Sequence, residues 1–348
     1  MKKVSVVILN WNGEAMLRRF LPSVCKFSEI EQGDVEICVA DNGSTDGSLA
    51  LLKNEFPSIR QIVFDKNYGF AGGYNKALQL INAEYVVLLN SDVEVTPRWL
   101  QPMVKYMDTH PNVAACQPKI LSRTAKEEGK KIFEYAGAAG GYLDRYGYPF
   151  CRGRIFDAIE KDRGQYDMTA MILWASGASL FIRLADYRSA DGLDDRFFAH
   201  MEEIDLCWRL RNRGKGIVCL PESTVYHLGA STLKRENPRK TYLNFRNNLL
   251  MLYKNLPDSE LVKVLRFRAV FDPLAAFIFF LRGQKKNAAA VFEARKDFQK
   301  IRYTFASERA KNLISSSDEP VPEYTSFSIL RKFYISRKKR FSQLKLNG

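Results

Sequence analysis

Three carboxylates fall within four positions in MEEIDLCWR, residues 201–209, beside Phe197, Phe198, Leu206 and Trp208, and His227 follows 24 residues after Glu203. Like charges that close repel, and apolar neighbours strip their hydration, so the group either caps a helix or serves chemistry. Capping accounts for Glu202 and Asp205: a helix start favours acids, and Asp205 stands four residues before Arg209. Glu203 lies about 100° round the helix from Glu202, which points it toward a cleft where apolar neighbours raise its pKa into a general base's working range. His227 ends the apolar run in VYHLGAS, where a lone histidine serves packing as readily as chemistry.

Three further stretches carry polar groups at strand ends. In ADNGSTDGS, residues 40–48, a turn explains Asn42, Gly43 and the cap Asp46, but leaves Asp41 over. An acid at a strand's carboxyl end accepts a hydrogen bond from a pyrimidine imino group or from a ribose hydroxyl. KNYGFAGGYNKAL, residues 66–78, opens a helix with Asn67, Gly69, Gly72 and Gly73, small residues that let a diphosphate approach backbone N–H groups at the positive helix end. In LLNSDVEVTPRWL, residues 88–100, Thr96 and Pro97 already supply a helix start, so Asp92 is available for a cation shared with phosphate oxygens.

The elements that must hold these residues read as α/β. VSVVIL, VEICVA, QIVFD, YVVLLN and VAACQPKI are strands, with four helices between them. This alternation predicts a mostly parallel sheet flanked by helices, with ligands beyond the strands' carboxyl ends. Residues 121–165 are Gly- and Tyr-rich and irregular, as binding loops often are. MTAMILWASGASLFIR reads as strand material bent at Gly177, followed by a helix over about 201–213 and two short strands ending at His227. Beyond Ser231 the pattern is helical.

With these motifs in hand, the chain closely resembles the family 2 glycosyltransferases, in their rhamnosyltransferase-like branch. VSVVILNWNG, DNGSTDGS, NYGFAGGYNKAL, LLNSDVEV, SGAS and EEIDLCWR, with the later histidine, follow in order over about residues 4–231. The resemblance implies a GT-A nucleotide-diphospho-sugar transferase fold and transfer with inversion. It puts Asp41 at the nucleobase, Asp92 at metal and diphosphate, Glu203 at the catalytic base and His227 at a metal-ligand position, with Mg²⁺ or Mn²⁺ as cofactor. Two departures stand out: the DxD-type motif reads Asn90-Ser91-Asp92, with one acid, and Glu203 stands where many members carry Asp.

Composition bounds the rest. The chain has 348 residues and a net charge of +14, and its 46% apolar and 26% charged residues exclude a disordered or multi-span membrane chain. From residue 232 onward 25 Lys and Arg face 10 Asp and Glu, so the basic surplus belongs to the C-terminal third. This predicts a catalytic unit over 1–231, a helical region over 232–317 and a basic tail over 318–348. AVFDPLAAFIFFL, residues 269–281, is too short to span a bilayer and is bracketed by basic residues, which suits an anionic membrane surface or a packed helix with a solvated basic face. No groove-reading motif accompanies the charge, so nucleic acid is not expected. The N-terminus reads as a strand and not as a signal peptide, and six scattered cysteines suit a reduced, cytoplasmic protein.

The expected activity is transfer of a sugar, with rhamnose the leading candidate, from a TDP- or UDP-sugar to a glycan or lipid-linked saccharide in cell-surface polysaccharide synthesis, in the cytoplasm or on the inner membrane face. The rivals are a sugar-1-phosphate nucleotidyltransferase, whose Gly-rich basic triphosphate loop NWNGEAML lacks, and a non-catalytic nucleotide-sugar-binding scaffold.

Overall fold

The computed structural model describes all residues except 32, 230–236, 318 and 347–348. The N-terminal half alternates as expected: β1 (Lys2–Asn10), α1 (Glu14–Phe27), β2 (Val35–Asp41), α2 (Ser48–Glu55), β3 (Arg60–Val63), α3 (Gly69–Gln79), β4 (Ala83–Asn90), β5 (Val93–Val95), α4 (Gln101–Thr109) and β6 (Val113–Ser122). After α5 (Arg123–Glu127) come β7 (Gly141–Leu143), β8 (Pro149–Cys151), β9 (Arg154–Ile155), β10 (Ala158–Ile159), β11 (Ala170–Met171) and β12 (Ser179–Arg183). Next are α6 (Leu184–Ser189), α7 (Glu202–Asn212) and β13 (Gly216–His227), then α8 (Pro238–Asn255), α9 (Asp258–Leu281), α10 (Lys285–Ile301) and α11 (Ala306–Ile314).

The main sheet runs β11-β13-β6-β12-β4-β1-β2-β3, with β5 paired to β13. β3, β2, β1 and β4 are mutually parallel, β12 runs antiparallel between β4 and β6, and β13 is parallel to β6. Period-2 alternation sends Val4, Val6 and Ile8 of β1 to one face, against Leu17 and Leu21 of α1 and Leu51 of α2. Val7, by contrast, joins Tyr74 of α3 and Leu206 of α7 on the other face. Burying both faces makes these strands near-continuous apolar runs.

Several local expectations change. Thr96 does not cap α4; its hydroxyl donates to the Thr224 carbonyl, Arg98 is left-handed (φ 58°), and the helix begins later, at Gln101. The irregular stretch contains a second, antiparallel sheet, β10-β9-β8-β7. The two short strands before His227 are one strand, β13, whose register against β6 shifts between Leu220 and Thr224, across Pro221, which has no N–H to give the ladder.

The C-terminal segment departs most. Beyond α11 only two short helical turns follow among the described residues, at Arg331–Ile335 and Phe341–Gln343, and the residues read as a basic tail are folded down: Ile329, Phe341 and Leu344 are buried in the same cluster as Trp208 and Tyr142. The Phe341 ring lies 5.0 Å from that of Tyr142, and its N–H donates to Glu160. The apolar residues between the lysines and arginines supply this packing while the cations stay in water. Five of the six cysteines are buried, Cys25 is exposed, and all six are free thiols.

Candidate active site

The strand order brings the candidate residues to one edge. Asn10 pairs with Asp41 across β1 and β2, Leu9 with Asn90 across β1 and β4, and His227 of β13 pairs with Val93 of β5, next to Asp92. These are the carboxyl ends of β1, β2, β4 and β13, where open α/β sheets place their ligands.

Asp41 is buried and has structural work: Asn10 Nδ2 donates to one carboxylate oxygen at 3.0 Å and the Ser44 N–H to the other at 2.8 Å. Each oxygen keeps a second lone pair for a ligand. Asn42 donates to Asn67 Oδ1 and to the Gly69 carbonyl, and Asn67 Oδ1 accepts from the Gly69 N–H at 2.8 Å, which fixes the entry to α3.

At the start of α3 the expectation of open N–H groups is not met. Those of Phe70 and Ala71 donate to the Phe198 carbonyl, at 2.7 and 3.3 Å. The glycines serve close packing instead. Gly69 has φ +75° and lies against Phe198, a Cβ on Gly72 would meet Tyr68 at 3.3 Å, and one on Gly73 would meet Leu9 at 2.8 Å.

Asp92 and His227 meet. His227 Nε2 lies 3.1 Å from Asp92 Oδ1, and on the other side of the ring Nδ1 faces Glu134 Oε2 at 3.4 Å. Burial alone would lower the histidine's pKa, but the two carboxylates outweigh it and push it up to about 10. Burial raises Glu134, but the imidazole and the backbone N–H groups of Ala136 and Tyr135 together outweigh it and leave it below the ordinary glutamate value. Glu134 lies in the stretch that lacks sequence periodicity, so no signal pointed to it. The donor set, a carboxylate oxygen and an imidazole nitrogen about one coordination edge apart, fits two neighbouring ligands of a divalent ion at roughly 2.1 Å each once the imidazole has released the proton it holds between the two carboxylates. Among the described residues no three His, Cys, Asp or Glu side chains converge as a full metal set.

SGAS, residues 176–179, joins this pair to the carboxylates of α7. The Asn90 N–H donates to the Ala178 carbonyl, Ser176 Oγ donates to the Ala136 carbonyl, and a Cβ on Gly177 would stand 3.8 Å from that of Glu203. Burial raises the Glu203 pKa, while backbone N–H groups at Glu203, Ile204, Gly177 and Met201 oppose the rise. Burial first, then the charges of Glu203 and Asp205, push Glu202 well above its ordinary value. Asp205 is spoken for: Arg209 lies at 2.9 Å, Lys254 Nζ at 2.7 Å and Asn255 Nδ2 at 2.8 Å. Asp205 is thus committed to the fold, whereas Glu202 and Glu203 each keep a carboxylate oxygen with no hydrogen-bond partner among the described residues, and Glu202 is the more deeply buried of the two.

The approach to Glu203 is strained. Phe198, His200 and Met201 all have positive φ, at 65°, 70° and 74°. Asn247 of α8 holds this loop, its amide donating to the carbonyls of Phe197, Ala199 and His200 at 2.9, 2.9 and 2.8 Å. Burial and then the Lys240 charge lower His200 to about 4, so its ring stays neutral.

The fold with this strand-end site is that of a GT-A glycosyltransferase. Residues 5–162 match the profile described as Glycosyl transferase family 2, and the chain is similar to family 2 glycosyltransferases, rhamnosyltransferases among them. It is 24% identical over 242 residues to the N-acetylglucosaminyl-diphospho-decaprenol L-rhamnosyltransferase of Mycobacterium tuberculosis, covering 66% of this chain and 78% of that one. Among solved structures, GalNAc-T7 with UDP, GalNAc and Mn²⁺ superposes with a TM-score of 0.58 at 15% identity, over 74% of this chain and 49% of that one. S. aureus TarS 1–349 in complex with UDP-GlcNAc gives 0.54 at 17% identity, over 90% and 89%. At these identities the structures speak for the fold.

Proposed function

We propose that the chain is an inverting glycosyltransferase that moves a sugar, rhamnose foremost, from a TDP- or UDP-linked donor to a lipid-linked saccharide or glycan at the inner membrane face, in cell-surface polysaccharide synthesis. The observation that carries this reading is Asp92 and His227, 3.1 Å apart at the sheet edge, with the 176–179 turn tying the end of β4, through the Asn90 N–H and the Ala178 carbonyl, to the half-buried Glu203. The M. tuberculosis relative, named for rhamnosyl transfer to a diphospho-polyprenol acceptor, supports the donor sugar and acceptor class. The nucleotides and Mn²⁺ named with the structural neighbours support the donor type and the metal.

Asp41 and Asn67 orient the base and ribose end of the donor. Asp92 and His227 would hold the divalent ion, which when bound neutralises charge on the diphosphate leaving group. Glu203, kept protonatable by burial, takes the acceptor hydroxyl's proton as that oxygen bonds to the anomeric carbon. Attack comes from the face opposite the diphosphate, whose bond to that carbon breaks with the electron pair leaving on the diphosphate, and configuration inverts.

A thermal-shift series with UDP, TDP and their sugars, with and without Mn²⁺ or Mg²⁺, tests the reading. A ligand at ~100 times its dissociation constant stabilises by about 2.7 kcal/mol. No stabilisation by any pyrimidine nucleotide under any metal condition sinks it.

A further inference from the structure

α9 is built inside out. Its protein-facing stripe, Leu261, Val264, Arg268, Asp272 and Ala276, buries an ion pair, with Arg268 Nε 2.7 Å from Asp272 Oδ1 and Arg295 of α10 2.7 Å from the other oxygen. The opposite stripe is apolar and open to solvent: Val270 is 64% exposed, Leu274 47%, Phe277 55% and Leu281 67%, and on α10, which packs against α9, Phe292 is 55% exposed. At 100° per residue these α9 positions fall within about a third of the helix circumference. Single exposed apolar residues need no explanation, but a contiguous stripe marks a contact surface.

The charges choose what covers it. Between residues 261 and 293 the exposed ionisable side chains are Lys263, Arg266, Arg282, Lys285 and Lys286 against one exposed acid, Glu293, while Asp272 is buried. A second copy packed on this face by two-fold symmetry would set these cations against their own kind. A large apolar stripe edged by lysine and arginine suits a helix lying in an anionic lipid surface, with its apolar side chains among the upper acyl chains and its cations at the head groups. No helix among the described residues is long and apolar enough to cross a bilayer, so this contact is interfacial.

We infer that the exposed face of α9, with Phe292 of α10, is the docking surface of this protein on anionic membrane. The inference rests on the lipid-linked-acceptor reading for its purpose alone, because vesicle binding is measured without donor, acceptor or metal. It also separates two basic regions that the sequence ran together. The 331–345 segment carries more cations, but it is anchored on the second sheet through Phe341.

The test is co-sedimentation of the full chain with phosphatidylcholine vesicles holding no or one-third phosphatidylglycerol. Wild-type protein is expected to bind the anionic vesicles only, and less as salt rises across the Debye range. Phe277→Glu with Leu281→Glu should abolish binding at an unchanged melting temperature. Lys285→Ala with Lys286→Ala should weaken it roughly 30-fold, from ~1 kcal/mol per cation and 1.4 kcal/mol per tenfold. Lys338→Glu with Lys339→Glu should bind like wild type. Absence of wild-type binding, wild-type binding by the Phe277→Glu/Leu281→Glu variant, loss of binding only in the 338/339 variant, or light scattering showing a dimer that Phe277→Glu dissociates would each overturn the inference.

Discussion

Asn247, fully buried on α8, donates its side-chain amide to the carbonyl of His200 at 2.8 Å, three residues before Glu203. The same amide reaches Phe197 and Ala199, so this side chain, with its neighbour Arg246 on the Arg196 and Phe197 carbonyls, holds a loop with three left-handed residues. Such conformations cost of order 1–3 kcal/mol each and persist only where surrounding structure holds them.

Asn247→Ala should therefore let the loop relax and displace Glu203. Misplacement by about an ångström can cost on the order of 10²-fold, so kcat should fall by about that factor with the donor KM little changed. The acid limb of the pH–rate profile should also move down as Glu203 gains water. A loss confined to thermal stability, with kcat and profile intact, would make Asn247 structural only.

Glu203→Gln preserves shape but cannot accept a proton. Turnover should drop by ~10²–10⁴ while UDP or TDP binding by calorimetry stays unchanged. Because burial raises the Glu203 pKa, the wild-type acid limb should lie above the ordinary carboxylate range. Asp205→Ala should act differently, taking from the buried Arg209 its carboxylate partner and leaving Lys254 with Asp194 alone, and so destabilising the fold by about 3 kcal/mol. Reversed phenotypes for the two acids would exchange their roles.

Replacing Asp92 or His227 by Ala should weaken Mn²⁺-dependent nucleotide binding, measured by Mn²⁺ electron paramagnetic resonance, and leave metal-independent binding unaltered. Full Mn²⁺ affinity in His227→Ala would return the histidine to a packing role.

Asp194 gives a pH-dependent stability term. Burial opposes its charge, but Arg196 and Lys254 prevail and lower it to about 2 from its ordinary 3.8. A depressed acid stabilises the fold above its unfolded pKa and loses that contribution as pH falls toward the folded one. About 2 kcal/mol should thus disappear between roughly pH 4 and 2. Urea unfolding of wild type and Asp194→Asn across that window should show the difference in slope.

Removing residues 318–348 should destabilise the protein, since it uncovers the surface around Tyr142 and Tyr166 that Phe341 buries. Phe341→Ala alone should cost about 3 kcal/mol by large-to-small truncation, read as a lowered unfolding midpoint. An unchanged midpoint in both would leave the segment as a loose tail.

The sequence by itself determined what short-range physics encodes. Apolar runs fixed β1 to β4 and β6, helical spacing fixed α7 and set Asp205 toward Arg209, and ordered motifs singled out Asp41, Asp92, Glu203 and His227 as candidates. The tertiary structure decided what depends on residues far apart in the chain. Glu134 reaches His227 from 93 positions away and Asn247 clamps a loop about 50 positions earlier, and neither pairing leaves a periodic trace. The donors at the start of α3 looked open because the Phe198 carbonyl that takes them lies more than a hundred residues later. The basic C-terminal segment and α9 show the same limit: composition records how many apolar and charged groups there are, but only packing decides which of them face water.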